Sequence, residues 1–175
     1  MSDETTPPHD EPNATPSAPS PRWLTRALVT DPDQPQSGRF VGREHRFPLR
    51  VYFEDTDTAG IVYYANYLRF MERARSDMLR QVGIDQREVM ERGEGVYAVA
   101  EAHIRYRTPA RLDDALLIRS EVTQVRAAAC HIHQRVMRGE AICAEAEITA
   151  AFVAPDGRPR RQPREWVAKF EELVA

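Results

Sequence analysis

Cysteine is scarce in this 175-residue chain: there are two, Cys130 and Cys143, far apart and off any C-x-x-C spacing. That excludes a disulfide framework and a zinc-finger-type site, and it suits a reducing compartment. No apolar run approaches the roughly 20 residues needed to span a bilayer, which excludes a transmembrane helix. Basic charge is not in excess, with 24 Lys and Arg against 27 Asp and Glu. A net charge of −3 argues against a nucleic-acid partner, whose binders carry a basic stripe or surplus. The first residues lack a basic n-region and an apolar h-region, so a secretory leader is not expected and a cytoplasmic location is. The sequon-like Asn13-Ala14-Thr15 is then a chance match. His131 and His133 share a strand face, but no third ligand stands at a telling spacing, so no metal is expected.

Residues 1–40 hold eight of the thirteen prolines, mixed with Ser, Thr, Asp and Glu. Such a segment cannot bury enough apolar surface to offset the entropy lost on ordering, so a disordered tail is expected. Trp23, Leu24, Ala27, Leu28 and Val29 form a small apolar island within it. One domain is expected over 41–175.

Phe47, Leu49, Val51 and Phe53 alternate with polar neighbours including His45 and Arg46, which predicts a strand ending at Glu54. Pro48 predicts an edge position or a late start for it. Tyr64, Tyr67, Leu68, Met71, Arg75, Met78, Leu79 and Val82 recur at spacings of three and four, a long amphipathic helix that Gly83 stops. Arg69, Glu72, Arg73, Asp77 and Arg80 are assigned to its polar side. Four more alternating segments follow, around 98–106, 116–122, 130–136 and 142–152, joined by short turns. This favours an antiparallel sheet with one buried face. Ala98, Ala100, Ala102, Ala144, Ala146 and Ala150 leave room above that sheet for the long helix.

The segment Glu54-Asp55-Thr56-Asp57-Thr58-Ala59-Gly60-Ile61-Val62-Tyr63-Tyr64-Ala65-Asn66-Tyr67 links the first strand to the helix. It brings carboxylates close to the unpaired N–H groups of a helix start, where a developing negative charge can be held. A carboxylate beside such donors suits acyl transfer. Asp55 is read as shaping the turn through backbone donors, and Gly60 as supplying a positive φ or a close backbone approach. A solitary aspartate ahead of a helix commonly serves as a cap. Here the ordered set of acid, glycine, aromatic pair and Asn66-Tyr67 is more specific than that.

Together with Met71-Glu72-Arg73-Ala74-Arg75, and with Tyr106-Arg107-Thr108-Pro109-Ala110-Arg111 and Asp113-Asp114, this segment closely resembles the active-site signature of the 4-hydroxybenzoyl-CoA thioesterase group of hotdog-fold proteins. That group includes the Tol-Pal-associated acyl-CoA thioesterases, and the resemblance spans about residues 45–155. It implies an α+β hotdog fold, a five-stranded antiparallel sheet wrapped around one long central helix. It implies hydrolysis of an acyl-CoA, or of an acyl-carrier-protein thioester, by a homodimer or homotetramer that needs no cofactor. By the same resemblance Asp57 is the nucleophile or general base and the backbone N–H of Tyr64 is the oxyanion donor. Gly60, Val62 and Tyr63 would lie against the substrate, and Arg126 would contact coenzyme A phosphates. The Tol-Pal-associated branch carries histidine at the position of Tyr64 and tyrosine at that of Phe53. This chain follows the 4-hydroxybenzoyl-CoA enzyme at both, which puts more of the mechanism on Asp57. The rival readings are an acyl-thioester hydratase, which would want a histidine near the turn, and a non-catalytic thioester binder or scaffold using the proline-rich tail.

Overall fold

The computed structural model describes residues 33–174. Residues 1–32, with the apolar island around Trp23 and the Asn13 sequon, lie outside the described residues. The chain divides after Pro35, and every element below belongs to the unit from Gln36 to Ala175.

The strands are β1 (Arg39–Val41), β2 (Glu44–Arg50), β3 (Val96–Tyr106), β4 (Ala115–Arg126), β5 (Ala129–Arg138) and β6 (Ala141–Val153). They form one antiparallel sheet in the order β1-β2-β4-β5-β6-β3. The helices are α1 (Asn66–Gln81), α2 (Gln86–Glu91) and α3 (Arg164–Glu171). The chain leaves β2, runs through α1 across the sheet, and rejoins it at the far edge as β3. α1 lies over β2, β4 and β5. This is the hotdog arrangement, with a sixth strand where five were expected. The extra strand is β1, too short for an alternating pattern to announce it.

Pro48 sits inside β2, and its position is permitted because β1 reaches only as far as Arg46. At Pro48 the sheet continues on one side alone, toward Leu117 of β4, so the missing N–H costs no ladder bond. The expected strand end at Glu54 is corrected: β2 stops at Arg50, and Phe53–Asp55 form a single 3-10 turn. Phe53 accordingly stands 82% exposed rather than in the core.

α1 buries Tyr67, Phe70, Met71, Ala74 and Met78 at the predicted spacing and ends before Gly83, whose φ of +74 reverses the chain. Asp77 was assigned to its polar side and is instead 2% exposed. Its Oδ2 accepts from the Gly38 N–H (2.8 Å) and faces Nε2 of fully buried His45 (2.9 Å), while Oδ1 accepts from the Ser37 hydroxyl (3.0 Å). This buried pair ties the chain ahead of β1 to α1, so the folded unit includes residues just before position 41. Gly38 is required there: a Cβ would come within 2.7 Å of both Asp77 Oδ2 and His45 Nε2.

The alanine reading needs a second correction. Ala144 and Ala146 lie buried under the helix side of the sheet, but Ala98, Ala100 and Ala102 are exposed. A bulge between Val99 and Glu101 breaks the register of β3 on β6, so Ala98 and Ala102 do not share a face. β3 is an edge strand, and Val96, Val99 and Tyr106 on it are exposed.

α2 and α3 were not expected. Asp85 caps α2 by accepting from the N–H groups of Arg87 and Glu88. α3 buries Trp166 and Phe170 against Tyr97 and Phe152, closing the end of the core where α1 stops. Its signal was Pro163 followed by two aromatics four residues apart, Trp166 and Phe170.

Tyr67 joins this core to the site. Its ring is buried, and its phenol oxygen accepts the Ala110 N–H at 2.9 Å. Tyr67→Phe therefore leaves a buried donor without an acceptor, and the expected loss is about 1–3 kcal/mol. Urea unfolding of the two proteins side by side measures it; a loss below about 0.5 kcal/mol would mean water replaces the phenol.

Candidate functional site

The turn between β2 and α1 is a small hairpin of its own. Thr56 bridges to Val62, the Asp57 N–H donates to the Ile61 carbonyl, and the Gly60 N–H donates to the Asp57 carbonyl (both 2.9 Å). Gly60 has φ +71, and a Cβ there would meet no atom within 4 Å. The glycine is thus demanded by the left-handed conformation that closes the hairpin and not by crowding.

Asp57 stands exposed at this tip, with Oδ1 held by the Ala59 N–H at 2.8 Å. Among the described residues Oδ2 has no hydrogen-bond partner, so one carboxylate oxygen is fixed and the other is open. Asp55, two residues earlier, is buried and serves as expected: its Oδ2 accepts the Tyr52 N–H (2.8 Å). The Asp55 carbonyl accepts from both the Tyr63 N–H (2.9 Å) and Asn66 Nδ2 (3.0 Å). Asn66 is the first residue of α1, so this carbonyl locks hairpin and helix start together.

The helix begins nine positions after Asp57, later than the sequence suggested. Ala65 occupies its N-cap and has no side-chain acceptor to offer. Among the described residues nothing accepts the Tyr64 N–H. An uncapped helix end with a free amide beside it is a place for an anion or a polarised carbonyl oxygen.

Aromatic rings surround that opening. Tyr63 and Tyr64 are 43% and 60% exposed, with ring centroids 4.7 Å apart. Tyr106, from the end of β3, donates its hydroxyl to the Tyr64 carbonyl (3.1 Å) and stacks edge-on to Tyr64 and Tyr67. The Tyr63 phenol is pushed up, first by its hydrogen bond with Tyr64, with the nearby Asp57 charge adding to it. Burial is the first cause that pushes up Tyr67 and Tyr106. These three phenols stay neutral near pH 7 and can serve as donors, not as bases. Tyr106 was quoted in the second signature without a role; its place at the site depends on β3 returning to the helix start, which no local pattern announces.

The second signature braces the hairpin from outside. Val62 donates to the Ala110 carbonyl (2.8 Å), and Ile61 bridges to Arg111. Asp114 accepts from the Arg111 N–H and from Arg138 (2.9 Å). Partial burial works against its charge, but the Arg138 bond and the Arg111 amide prevail and hold its carboxyl below the usual range.

Two expected site residues are elsewhere. Val62 is 2% exposed and packs in the core beneath the hairpin, which corrects its assignment against substrate. Its β-branched side chain anchors the turn. Arg126 lies at the opposite end of β4, eleven residues from Ala115 and hence roughly 35 Å from the hairpin's end of the sheet. Within one chain it does not meet Asp57. Glu72 accepts from the Ser76 hydroxyl (2.6 Å) on the surface of α1. His131 Nδ1 meets the Thr149 hydroxyl (3.2 Å), and His133 lies 3.9 Å from Glu147.

Residues 51–170 match the thioesterase-like superfamily profile. The chain is 41% identical over 130 residues to the acyl-CoA thioester hydrolase YbgC of Escherichia coli O6:H1, covering 73% of this chain and 96% of that one. It is 38% identical over 128 residues to the acyl-CoA thioesterase YbgC of Haemophilus influenzae, covering 73% and 94%. Among solved structures, a probable thioesterase from Bartonella henselae superposes with a TM-score of 0.66 at 33% identity, covering 69% of this chain and 99% of that one. A hairpin-borne carboxylate, an uncapped helix start, the hotdog topology and these likenesses agree: the chain belongs to the thioesterase-like superfamily.

Proposed function

We propose that this chain hydrolyses acyl-CoA thioesters at the opening between Asp57 and the start of α1. The observation that carries the site assignment is the exposed Asp57 carboxylate on a braced hairpin beside an uncapped helix end. The thioester carbonyl oxygen accepts the Tyr64 N–H, and the helix dipole adds to the stabilisation as negative charge develops there. Asp57 either attacks the carbonyl carbon to give a mixed anhydride or removes a proton from the attacking water. In both routes the C–S bond breaks, the thiolate takes up a proton, and one water is consumed in forming the acid product. No redox change occurs, and water is the only co-reactant. Gly60 and Tyr63 border the opening. Arg126 would reach a site only on a neighbouring copy, which fits a homodimer or homotetramer. The free edge of β3, eleven residues long, is a natural pairing surface for that second copy. A cytoplasmic setting suits two free thiols and an acyl-CoA substrate.

Thiol release from short, medium, long and aromatic acyl-CoAs tests the reading, with acyl-carrier-protein thioesters in parallel. Release well above the uncatalysed rate is expected for at least one acyl-CoA. Release from the carrier protein alone would replace coenzyme A as the carrier; release from none would overturn the function.

A further inference from the structure

The start of α1 uses an asparagine against its ordinary habit. Asn66 is the first residue of the helix, and only 6% of it is exposed. Asparagine at a helix start commonly caps it, the side-chain oxygen accepting a first-turn N–H. Here the side chain donates instead. Its Nδ2 bonds the Asp55 carbonyl (3.0 Å), and because a carbonyl can only accept, the orientation of the amide follows from its partner. No side chain caps α1, so the donors of its first turn stay open.

Asn66 also holds both peptide units of Tyr63. The Asp55 carbonyl that meets its side chain accepts the Tyr63 N–H as well (2.9 Å), and the Asn66 backbone N–H donates to the Tyr63 carbonyl (2.8 Å). The Tyr63 carbonyl and the Tyr64 N–H belong to one planar trans peptide and point in opposite directions. A bond at the carbonyl end therefore sets where the Tyr64 N–H aims and polarises it as a donor. Asp55 is fixed in turn, since its carboxylate accepts the Tyr52 N–H (2.8 Å).

We propose that Asn66 is a positioning residue for the reaction: its side-chain amide locks the hairpin to the helix start and keeps the Tyr64 N–H aimed at the thioester oxygen. The inference rests on the thioesterase reading above. Asn66 is buried and acts through the Tyr64 amide, not by contact with the substrate. Its effect falls on the transition state, where the oxygen carries charge, more than on the bound thioester. Removing an oxyanion donor costs roughly 10²–10³ in kcat, and loosening one costs part of that.

The test measures kcat and KM for a cleaved acyl-CoA in Asn66→Ala, Asn66→Asp and Asn66→Ser. Alanine removes the donor, aspartate keeps the shape but turns the donor into a charged acceptor, and serine keeps one donor on a shorter arm. In Asn66→Ala kcat is expected to fall about 30-fold while KM stays within about threefold. Asn66→Asp falls at least as far, and Asn66→Ser falls less and stands in if alanine prevents folding. The infrared C=O stretch of an acyl-CoA bound to Asp57→Asn reads the aim of the amide without turnover. Adding Asn66→Ala or Asn66→Ser should raise that frequency, because a weaker hydrogen bond leaves the carbonyl less polarised. An unchanged kcat, or a fall in kcat with the stretch unmoved, would overturn the role of Asn66 while leaving the thioesterase intact. If wild type binds thioesters without cleaving them, the stretch is read in wild type itself. A rise on substitution of Asn66 then supports the role, and an unmoved stretch overturns it. Failure to bind any thioester overturns both readings.

Discussion

Asp57→Asn is expected to lower kcat about 10³-fold while the affinity for coenzyme A stays within twofold. The substitution removes the charge and almost nothing else. Asparagine keeps an oxygen for the Ala59 N–H that now holds Asp57 Oδ1, so the hairpin should close as before. The free Oδ2 is the atom replaced, and it is the one able to attack or to take a proton. Single-turnover hydrolysis in ¹⁸O-labelled water separates the two roles. A nucleophilic Asp57 acquires label in its own side chain when water attacks the anhydride at the aspartyl carbon, whereas a general base never does. Turnover in Asp57→Asn within tenfold of wild type would remove Asp57 from the chemistry and shift attention to the Tyr64 amide alone.

The largest expected effect on stability is at Asp77. Asp77→Ala leaves fully buried His45 without its partner and takes an acceptor from both Ser37 and Gly38. Removing the acceptor that these hydrogen bonds share costs about 3–5 kcal/mol. For a unit of this size that lowers Tm by roughly 10–15 °C. The double variant Asp77→Leu/His45→Phe should recover much of the loss, because an apolar pair does not need the charge. Equal losses in single and double variants would show that the Ser37 and Gly38 contacts, not the His45 contact, carry the stability.

The same pair gives a pH dependence with a definite sign. Burial is the first cause acting on His45 and lowers its pKa below the ordinary 6.5, against the opposing hydrogen bond and charge of Asp77. The folded protein therefore binds this proton less readily than the unfolded chain does. The contribution is complete above pH 6.5 and is lost as the pH falls from there through the folded value. Tm should decline as the pH falls below 6.5 in wild type and decline less in His45→Phe. Parallel slopes in the two proteins would assign the decline to other groups.

Whatever is periodic or local in this protein was legible in its residues alone. The apolar spacing from Tyr67 to Met78 specified the long helix and its buried stripe, and Gly83 specified its end. Alternation over 116–122, 130–136 and 142–152 specified three strands and their inward faces, since a strand's side-chain period leaves no freedom once one face is buried. The order of acid, glycine and aromatic pair located the hairpin, because its tight turn needs a left-handed residue at Gly60. Tertiary structure alone decided the rest. A bulge near Ala100 turned Ala98 away from the face of Ala102, and a ladder irregularity of that kind has no local signature. Asp77 and His45 each look like surface residues in their own element and become a buried pair only when β2 packs under α1. Tyr106 reaches Tyr64, and α3 closes a cavity, through contacts between segments dozens of residues apart. Periodicity fixes which way a side chain faces, but only packing fixes what it meets.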